Sequence, residues 1–457
     1  MKIEILDSVE CEVSRADAGV IAPCITFETV FWVQGPFKKQ RKVGTKNVFT
    51  FRGKDVWRFH TGLLPRITKY CKDQGIPVEI VGEEIKIKRQ NPPFLKNITF
   101  RPDQLKLMNA ACTAGRGIIS SATGTGKTLM QLGILSCYPN CKALVLAHTI
   151  AIVEQTFKEL QKFGFKSIEM FGGGNKAQKP TKQITVSTMQ SFIAIDPEDY
   201  IDYYDCTIID EAHHLQAKDS TYATILGNML APIRLGFTAT TRTTDEAVLV
   251  NEGLLGPLIE EVTIQEAADL GILSTPKLRL IKSKCSQGIM DLRKYQDVYS
   301  FGIVNNQLRN RQIAEIVKEF YKQNKITLIF VTHIEHGNLI AEEIKNLFGY
   351  KVPFIQGSMS MEDREDIKAG LISKKVKICL ATTSWREGVD IPNLSAVVLT
   401  GGGKSEIQVL QGIGRGLRRT KDKDEVIIVD FLDLNHTHLI RQTGERLSIY
   451  SSHGWLG

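Results

Sequence analysis

"SSATGTGKTL", Ser120 to Leu129, is the stretch on which the fold turns. The apolar run "GIISSA" from Gly117 leads into a glycine-rich turn, and Lys127 and Thr128 open an amphipathic helix. Strand, glycine turn and helix in that order make the setting of a phosphate-binding loop. Gly124 and Gly126, with Thr125 between them, let backbone N–H groups turn inward on an anion, and the helix N-terminus adds its dipole. Lys127 can then reach terminal phosphates and the Thr128 hydroxyl can ligate magnesium. The strict pattern asks for glycine where Ser121 stands, a position that a small residue can also fill. Alone, "GTGKT" fits a plain strand-to-helix turn as well.

Outward from this loop the chain alternates β-rich runs with helical patterns. "GIISSA", "ALVLAH", "ITVST", "CTIID" and "RLGFTAT" are the strands of a first series, with helices such as "TIAIVEQTFKELQKF" between them. A second series starts near Asn324: "ITLIFV", "VPFIQG", "VKICLA", "AVVLTG" and "EVIIVDF". Each series is the signature of a parallel sheet covered by helices, so two α/β domains in tandem are expected. The first 95 residues lack this rhythm, and "NPPF" at 91–94 stops regular structure before the first α/β domain. The expected division is 1–95, a small α+β domain; 96–275, the first α/β domain; and 276–457, a connector and the second.

At 457 residues the chain has room for two or three domains. Its 42% hydrophobic and 24% charged residues suit a soluble globular protein, and runs such as "ALVLA" at 143–147 are far too short to span a membrane. The start "MKIEILDSVECEVS" has neither signal-peptide nor transit-peptide composition, so a cytoplasmic location is expected, that of the host cell for a phage-encoded protein. Nine cysteines are scattered without C-x-x-C spacing, which favours reduced, buried thiols over a zinc site.

"CTIIDEAHHL", Cys206 to Leu215, supplies the acids a phosphate loop needs. A strand delivers Asp210 and Glu211 at its C-terminal end, where open α/β sheets bind ligands. Asp210 is placed to hold magnesium, and Glu211 to orient and deprotonate a water for attack on a γ-phosphate. Two acids after a strand can also simply favour a helix start.

With the loop, the acids and "FTAT" at 237–240, the chain resembles the superfamily 2 helicases of DEAH type, in motifs I, II and III. "ATTSWREGVDIP" at 381–392 and "QGIGRGLRR" at 411–419 look like motifs V and VI. The resemblance implies two tandem RecA-like domains, parallel sheets with helices on both faces, using ATP and Mg2+. It assigns Gln411, Arg415 and Arg418 to the γ-phosphate, Gly388 and Asp390 to the nucleotide, and His213, Thr238 and Thr240 to coupling. Guanidinium groups suit that role because they neutralise charge developing on a transferred phosphoryl group; a basic helix face is the plainer reading of "GRGLRR". "FRPDQ" at 100–104 resembles the adenine-reading motif and puts Gln104 on the base, although a polar turn before a helix competes. By the same likeness His148, Thr188, Thr332, Thr382 and Thr383 hold the sugar-phosphate backbone.

Lys38 to Lys72 contains eleven basic residues against the single acid Asp55. Lys38, Lys39, Arg41, Lys42, Arg52, Arg58 and Arg66 are read as phosphate contacts. Among the interleaved aromatics, Phe51, Trp57 and Phe59 alternate with polar residues and are expected in a core. "WRFHTGLLPRITKYCKDQGIPVEI", 57–80, resembles the N-terminal domain of UvsW-type fork-remodelling helicases and, more distantly, XPB-like DNA helicases; Arg446 and Tyr450 lie in a similar C-terminal segment. The leading expectation is an ATP-dependent DNA helicase, a monomeric motor, acting on branched DNA such as forks and Holliday junctions in replication, recombination or repair. A DEAH-type RNA helicase, the motor of a restriction complex and a passive nucleic-acid-binding or annealing protein with an ATP switch stay open.

Overall fold

The computed structural model describes all residues except 35–38, 177, 216–219, 240–243, 286–288, 383–390, 404–418, 420–422 and 457, and the side chains at 31–34, 39–41, 361 and 452. The chain forms two compact units, Met1–Ser121 with Gly126–Val262, and Ala122–Thr125 with Thr263–Gly457. Among the described residues no helix is long and apolar enough to cross a membrane.

Two sheets make up most of the first unit. The larger has seven parallel strands in the spatial order Ile168–Phe171, Ile184–Thr188, Ala143–Ala147, Cys206–Ile209, Ile233–Thr238, Arg116–Ser121, Leu258–Val262. Its central strands are buried along their whole length, as parallel strands covered on both faces must be. The five strands expected from sequence are all present; Ile168–Phe171 and Leu258–Val262 are added at the edges, where shorter apolar patterns carry less signal. Helix Pro102–Ala114 precedes the sheet, with Pro102 in its first turn and Gly115 at φ 72° ending it in the left-handed region.

The smaller sheet belongs to the N-terminal domain and is mixed, in the order Phe51–Arg52, Val56–His60, Glu10–Ser14, Lys2–Ile5, Glu79–Val81. A separate antiparallel ribbon pairs Thr26–Gln34 with Lys39–Asn47. Trp57 is partly buried and Phe59 fully so, as expected of core, but Phe51 is 49% exposed because its two-residue strand lies at the sheet edge.

The N-terminal domain does not close its own core. Phe59, Leu63 and Ile67 continue into Leu249, Val250 and Leu254 of helix Asp245–Leu255, giving one buried cluster. Two glycines permit the contact: a Cβ at Gly62 would stand 2.1 Å from the Glu252 carbonyl oxygen, and one at Gly253 3.2 Å from the His60 Cβ. Beyond it, the chain from 82 to 101 crosses to the large sheet without regular structure, held by bonds such as Gln90 N–H to the Cys137 carbonyl, 2.9 Å.

In the second unit six parallel strands run Thr275–Lys282, Glu425–Leu432, Leu394–Leu399, Ile326–Val331, Ile378–Thr382, Phe354–Ile355. Both large sheets carry the RecA-like pattern of parallel strands and covering helices. The first compact unit ends at Val262: Leu258–Val262 is paired into the first sheet, whereas Thr275–Lys282 pairs, among the described residues, with Glu425–Leu432. The C-terminal helix Thr437–Ser452 is latched by buried charge: Arg446 Nε lies 2.7 Å from Asp430 Oδ2, which also accepts from the Tyr450 hydroxyl at 2.9 Å. Arg446 and Tyr450 are therefore packing elements of this domain.

Candidate functional site

Three neighbouring strands, Cys206–Ile209, Ile233–Thr238 and Arg116–Ser121, end on the same side of the large sheet. Their C-terminal ends deliver Asp210 and Glu211, Thr238, and the loop leading to Lys127. This is where a parallel sheet exposes ligand-binding loops. Ser121, the residue in place of the expected glycine, is fully buried at its strand end and has no positive φ, so a side chain costs nothing there. Gly124 and Gly126, at φ 93° and 95°, do need to be glycine.

Helix Lys127–Ser136 begins directly after Gly126. Gly126 also lies against Gln104: a Cβ there would stand 2.6 Å from Gln104 Nε2. Gln104 is buried, and its Oε1 accepts from the Arg101 N–H at 3.1 Å, which caps helix Pro102–Ala114. The oxygen of Gln104 thus caps a helix, and its amide nitrogen borders the phosphate loop.

Lys127 Nζ lies 3.4 Å from the Ser121 carbonyl and 3.4 Å from Glu211 Oε1. Glu211 Oε2 is 3.3 Å from His213 Nδ1, and that nitrogen is 3.2 Å from the Thr238 hydroxyl. Residues of three expected motifs thus form one connected cluster. Asp210 is 8% exposed and its Oδ1 accepts from Gln131 Nε2 at 2.8 Å. Gln131 was not anticipated; it sits one helical turn after Lys127, a spacing that puts both on one helix face.

Electrostatics divides the two acids. Burial, reinforced by the neighbouring Glu211 charge, pushes the Asp210 carboxyl up to about 6. Burial acts on Glu211 in the same direction, but Lys127 and His213 together outweigh it and hold Glu211 well below the usual carboxylate range. Glu211 is also strained, a non-glycine residue at φ 51°, ψ 55°, a conformation that costs about 1–3 kcal/mol and recurs at functional sites. Two carboxylates against one ammonium leave excess negative charge. A divalent cation would balance it, with Asp210 and the half-buried Thr128 as the oxygen donors at hand.

Other assigned residues scatter. His148 stacks on His214 with ring centroids 3.8 Å apart, and His214 lies against His213, so a residue assigned to nucleic acid joins the motif II histidines. Thr188 caps the short helix Met189–Phe192 through its hydroxyl. In the second unit Thr332 is exposed just after strand Ile326–Val331, and Thr382 is buried with its hydroxyl 3.5 Å from the Ile355 carbonyl. Lys38, Thr240, Thr383, Gly388, Asp390, Gln411, Arg415 and Arg418 lie outside the described residues, as do the side chains of Lys39 and Arg41.

In the N-terminal domain Lys42 and Arg52 are exposed, and the Arg52 guanidinium lies 5.2 Å from the Trp57 ring centroid. Arg58 is 3.0 Å from Glu12 and 3.5 Å from Glu10 and covers the Phe51 ring at 5.5 Å. Arg66 has a different partner from the phosphate expected for it: its Nε and second terminal nitrogen lie 2.7 and 2.5 Å from Glu252 Oε2, on the helix that the N-terminal domain packs against. The acid that claims it is 186 positions away, beyond the reach of any local reading.

Two family models match: type III restriction enzyme, res subunit, over residues 97–243, and helicase conserved C-terminal domain over residues 296–420. The chain is 26% identical over 402 residues to the DNA 3'-5' translocase XPB2 of Sulfurisphaera tokodaii, covering 79% of this chain and 87% of that relative. It is 26% identical over 398 residues to the ATP-dependent DNA helicase uvsW of Enterobacteria phage T4, covering 81% of this chain and 78% of that one. Among solved structures, S. cerevisiae Dbp5 bound to RNA and ADP BeF3 superposes with TM-score 0.53 at 17% identity, covering 78% of this chain and 93% of Dbp5. That likeness speaks for the fold. With both motor halves matched in chain order and the ATPase cluster assembled in the first, the chain belongs to the superfamily 2 helicases, near UvsW and the XPB-like enzymes, and is a nucleic-acid-dependent ATPase.

Proposed function

We propose that the chain is an ATP-dependent DNA helicase or translocase that unwinds or remodels branched DNA, forks and Holliday junctions, in replication, recombination or repair. The carrying observation is that the basic N-terminal domain shares one hydrophobic core with the ATPase domain, so a DNA grip and the hydrolytic cluster belong to one folded unit. The two relatives named for acting on DNA, XPB2 and uvsW, support the choice of polymer.

In this reading Gln104 meets the adenine, the loop from Gly124 to Thr128 holds the phosphates, and Lys127 neutralises their charge. Thr128 and Asp210 would hold magnesium, which would supply further charge neutralisation when bound. Glu211, ionised and aimed by Lys127 and His213, accepts the proton of the attacking water. His213 and Thr238 carry the state of the γ-phosphate position toward helix Asp245–Leu255. Gln411, Arg415 and Arg418, with Gly388 and Asp390, are proposed to complete the site from the second domain; Thr188, Thr332, Thr382 and Thr383 to hold the sugar-phosphate backbone; and Lys38, Lys39, Arg41, Lys42 and Arg52 to hold duplex.

ATPase stimulation is the test, compared across single-stranded DNA, single-stranded RNA, linear duplex, a fork and a four-way junction at two salt concentrations. The reading expects strongest stimulation by the branched DNAs, with steep loss at high salt. Greater stimulation by RNA, or equal stimulation by every DNA, overturns it.

A further inference from the structure

In the first unit, a pocket of about 330 Å³ has as its floor the first residues of three central strands, Ala143, Ile184 and Cys206, all buried. The strands are parallel, so this is the end of the sheet opposite to the one that delivers Asp210 and Glu211. None of the residues assigned to nucleotide or nucleic acid lines it.

The walls are aromatic, and the backbone holds them in place. Helix Ile150–Lys162 stops at Phe163 and at Gly164, which stands at φ 87°, and the Phe165 N–H closes the turn on the Leu160 carbonyl at 3.1 Å. Phe163 and Phe165 both line the pocket. Phe94, another lining residue, follows Pro92 and Pro93, which limit the backbone, and its N–H donates to Ser136 Oγ at 2.9 Å. Its side chain is nevertheless 66% exposed. A fixed aromatic ring left in water beside an apolar pocket is the arrangement of an interface anchor.

Charge says what the partner carries. Lys96 and Lys166 line the pocket and are exposed, and among the described residues no carboxylate lines it. Asp205, next to Cys206 in the chain, already accepts from the Lys142 N–H at 2.8 Å. The surplus is therefore positive, with Lys96 two residues after Phe94 and Lys166 directly after Phe165. The volume is at the lower end for ligand pockets, a size that suits an inserted side chain.

We infer that this pocket docks a short acidic segment of a partner protein. An apolar side chain of the segment enters beside Phe94, Phe163 and Phe165, and carboxylates flanking it pair with Lys96 and Lys166. The site goes beyond the proposed function and does not depend on it. Because it opens at the far end of the sheet from the ATPase cluster, partner and nucleotide bind without competing.

Fluorescein-labelled peptides Asp-Asp-X-X-Asp-Asp, with X as Phe, Trp, Leu or Ile, are the probes, titrated with the full chain by fluorescence anisotropy. At least one should bind saturably at 1:1. The same peptide with serine at X keeps every charge, and with asparagine for aspartate keeps the apolar pair; each should bind at least about tenfold more weakly. Lys96→Glu combined with Lys166→Glu should weaken binding at least about tenfold and keep basal ATP turnover, and Phe94→Ser should weaken it comparably. Lys42→Glu, in the basic N-terminal stretch, should leave peptide affinity where it is. Absence of saturable binding, equal affinity for the serine peptide, undiminished binding by the lysine variant, or equal weakening by Lys42→Glu overturns the site. Sodium decanoate that displaces the peptide and is itself lost in the lysine variant assigns the pocket to a lipid-like anion and overturns the peptide. The peptide comparisons are made on the native chain and decide even if Phe94→Ser fails to fold.

Discussion

Around Glu211, an ammonium and an imidazole lie within 3.4 Å of its carboxylate, and the neighbouring Asp210 carboxylate is held by Gln131, largely out of water. Around Arg58, at the far end of the same unit's sequence, a guanidinium lies at the surface between Glu10 and Glu12. Both regions are rich in charge, yet physics treats them differently. In the first, low dielectric makes each charge depend on its neighbours. In the second, water screens each pair, and only the summed positive field of many residues acts at a distance. Single substitutions should therefore be decisive in one region and nearly silent in the other.

The largest effect belongs to the ATPase cluster. Lys127→Ala or Glu211→Gln should reduce nucleic-acid-stimulated hydrolysis by at least about 10²–10³-fold, the scale for one lost electrostatic group, while circular dichroism stays native. Measurable stimulated turnover in either variant breaks the assignment.

Burial predicts the next effect in the same unit, away from the site. Arg234 is fully buried, and its three nitrogens donate to the carbonyls of Leu254, Met229 and Leu226 at 2.6, 2.7 and 2.6 Å. Burial, with nearby Arg116, pulls its pKa below the ordinary arginine value, but three acceptors keep it charged. Arg234→Met should cost about 3–5 kcal/mol of unfolding free energy, as broken buried charge networks do. Arg58→Met should leave the urea midpoint where it is. Equal midpoints for the two variants would falsify the contrast.

Protonation sharpens it further. Asp210 has its carboxyl raised to about 6, so the folded state holds that proton more tightly than the unfolded chain does. Its penalty on stability is full above about pH 6 and lifts as pH falls toward the ordinary value. Magnesium needs the ionised form, so magnesium-dependent nucleotide affinity should be full above about pH 6 and fall as pH drops through it. Glu211, held low, stays ionised across that window. Affinity that is flat from pH 7.5 to 5 would remove Asp210 as the metal's donor.

The two regions also differed in how far the sequence disclosed them. The loop and "DEAH" are local: each is one strand end and one turn, and the parallel order brings Lys127, Glu211, His213 and Thr238 together without further information. Gln131 and the His148–His214 stack escaped because their significance appears only when strands distant in sequence lie side by side. In the N-terminal domain, residue type was legible and partnership was not. Phe51 alternates like a core residue but falls on an edge strand, and the fusion of its domain's core with helix Asp245–Leu255 depends on Gly62 meeting Gly253, a contact with no sequence signature.

Arg66 is where the comparison is finest, and the expected effect is the smallest. It stands in the basic stretch like a phosphate contact, but it is paired with Glu252 and its side chain is 37% exposed. A half-exposed pair contributes at most about 1 kcal/mol. A double-mutant cycle of Arg66→Ala and Glu252→Ala should give a small stabilising coupling in urea unfolding. The salt dependence of DNA binding then separates strut from contact. If Arg66 is a strut, neither substitution changes the slope of log affinity against log salt. If it touches phosphate, Arg66→Ala alone lowers that slope by about one ion and Glu252→Ala does not. The exposed Lys42 and Arg52 supply the control, since each should lower the slope. Arg66 should behave unlike them despite its place in the same run of charge, because what a surface charge does is set by the acid across from it.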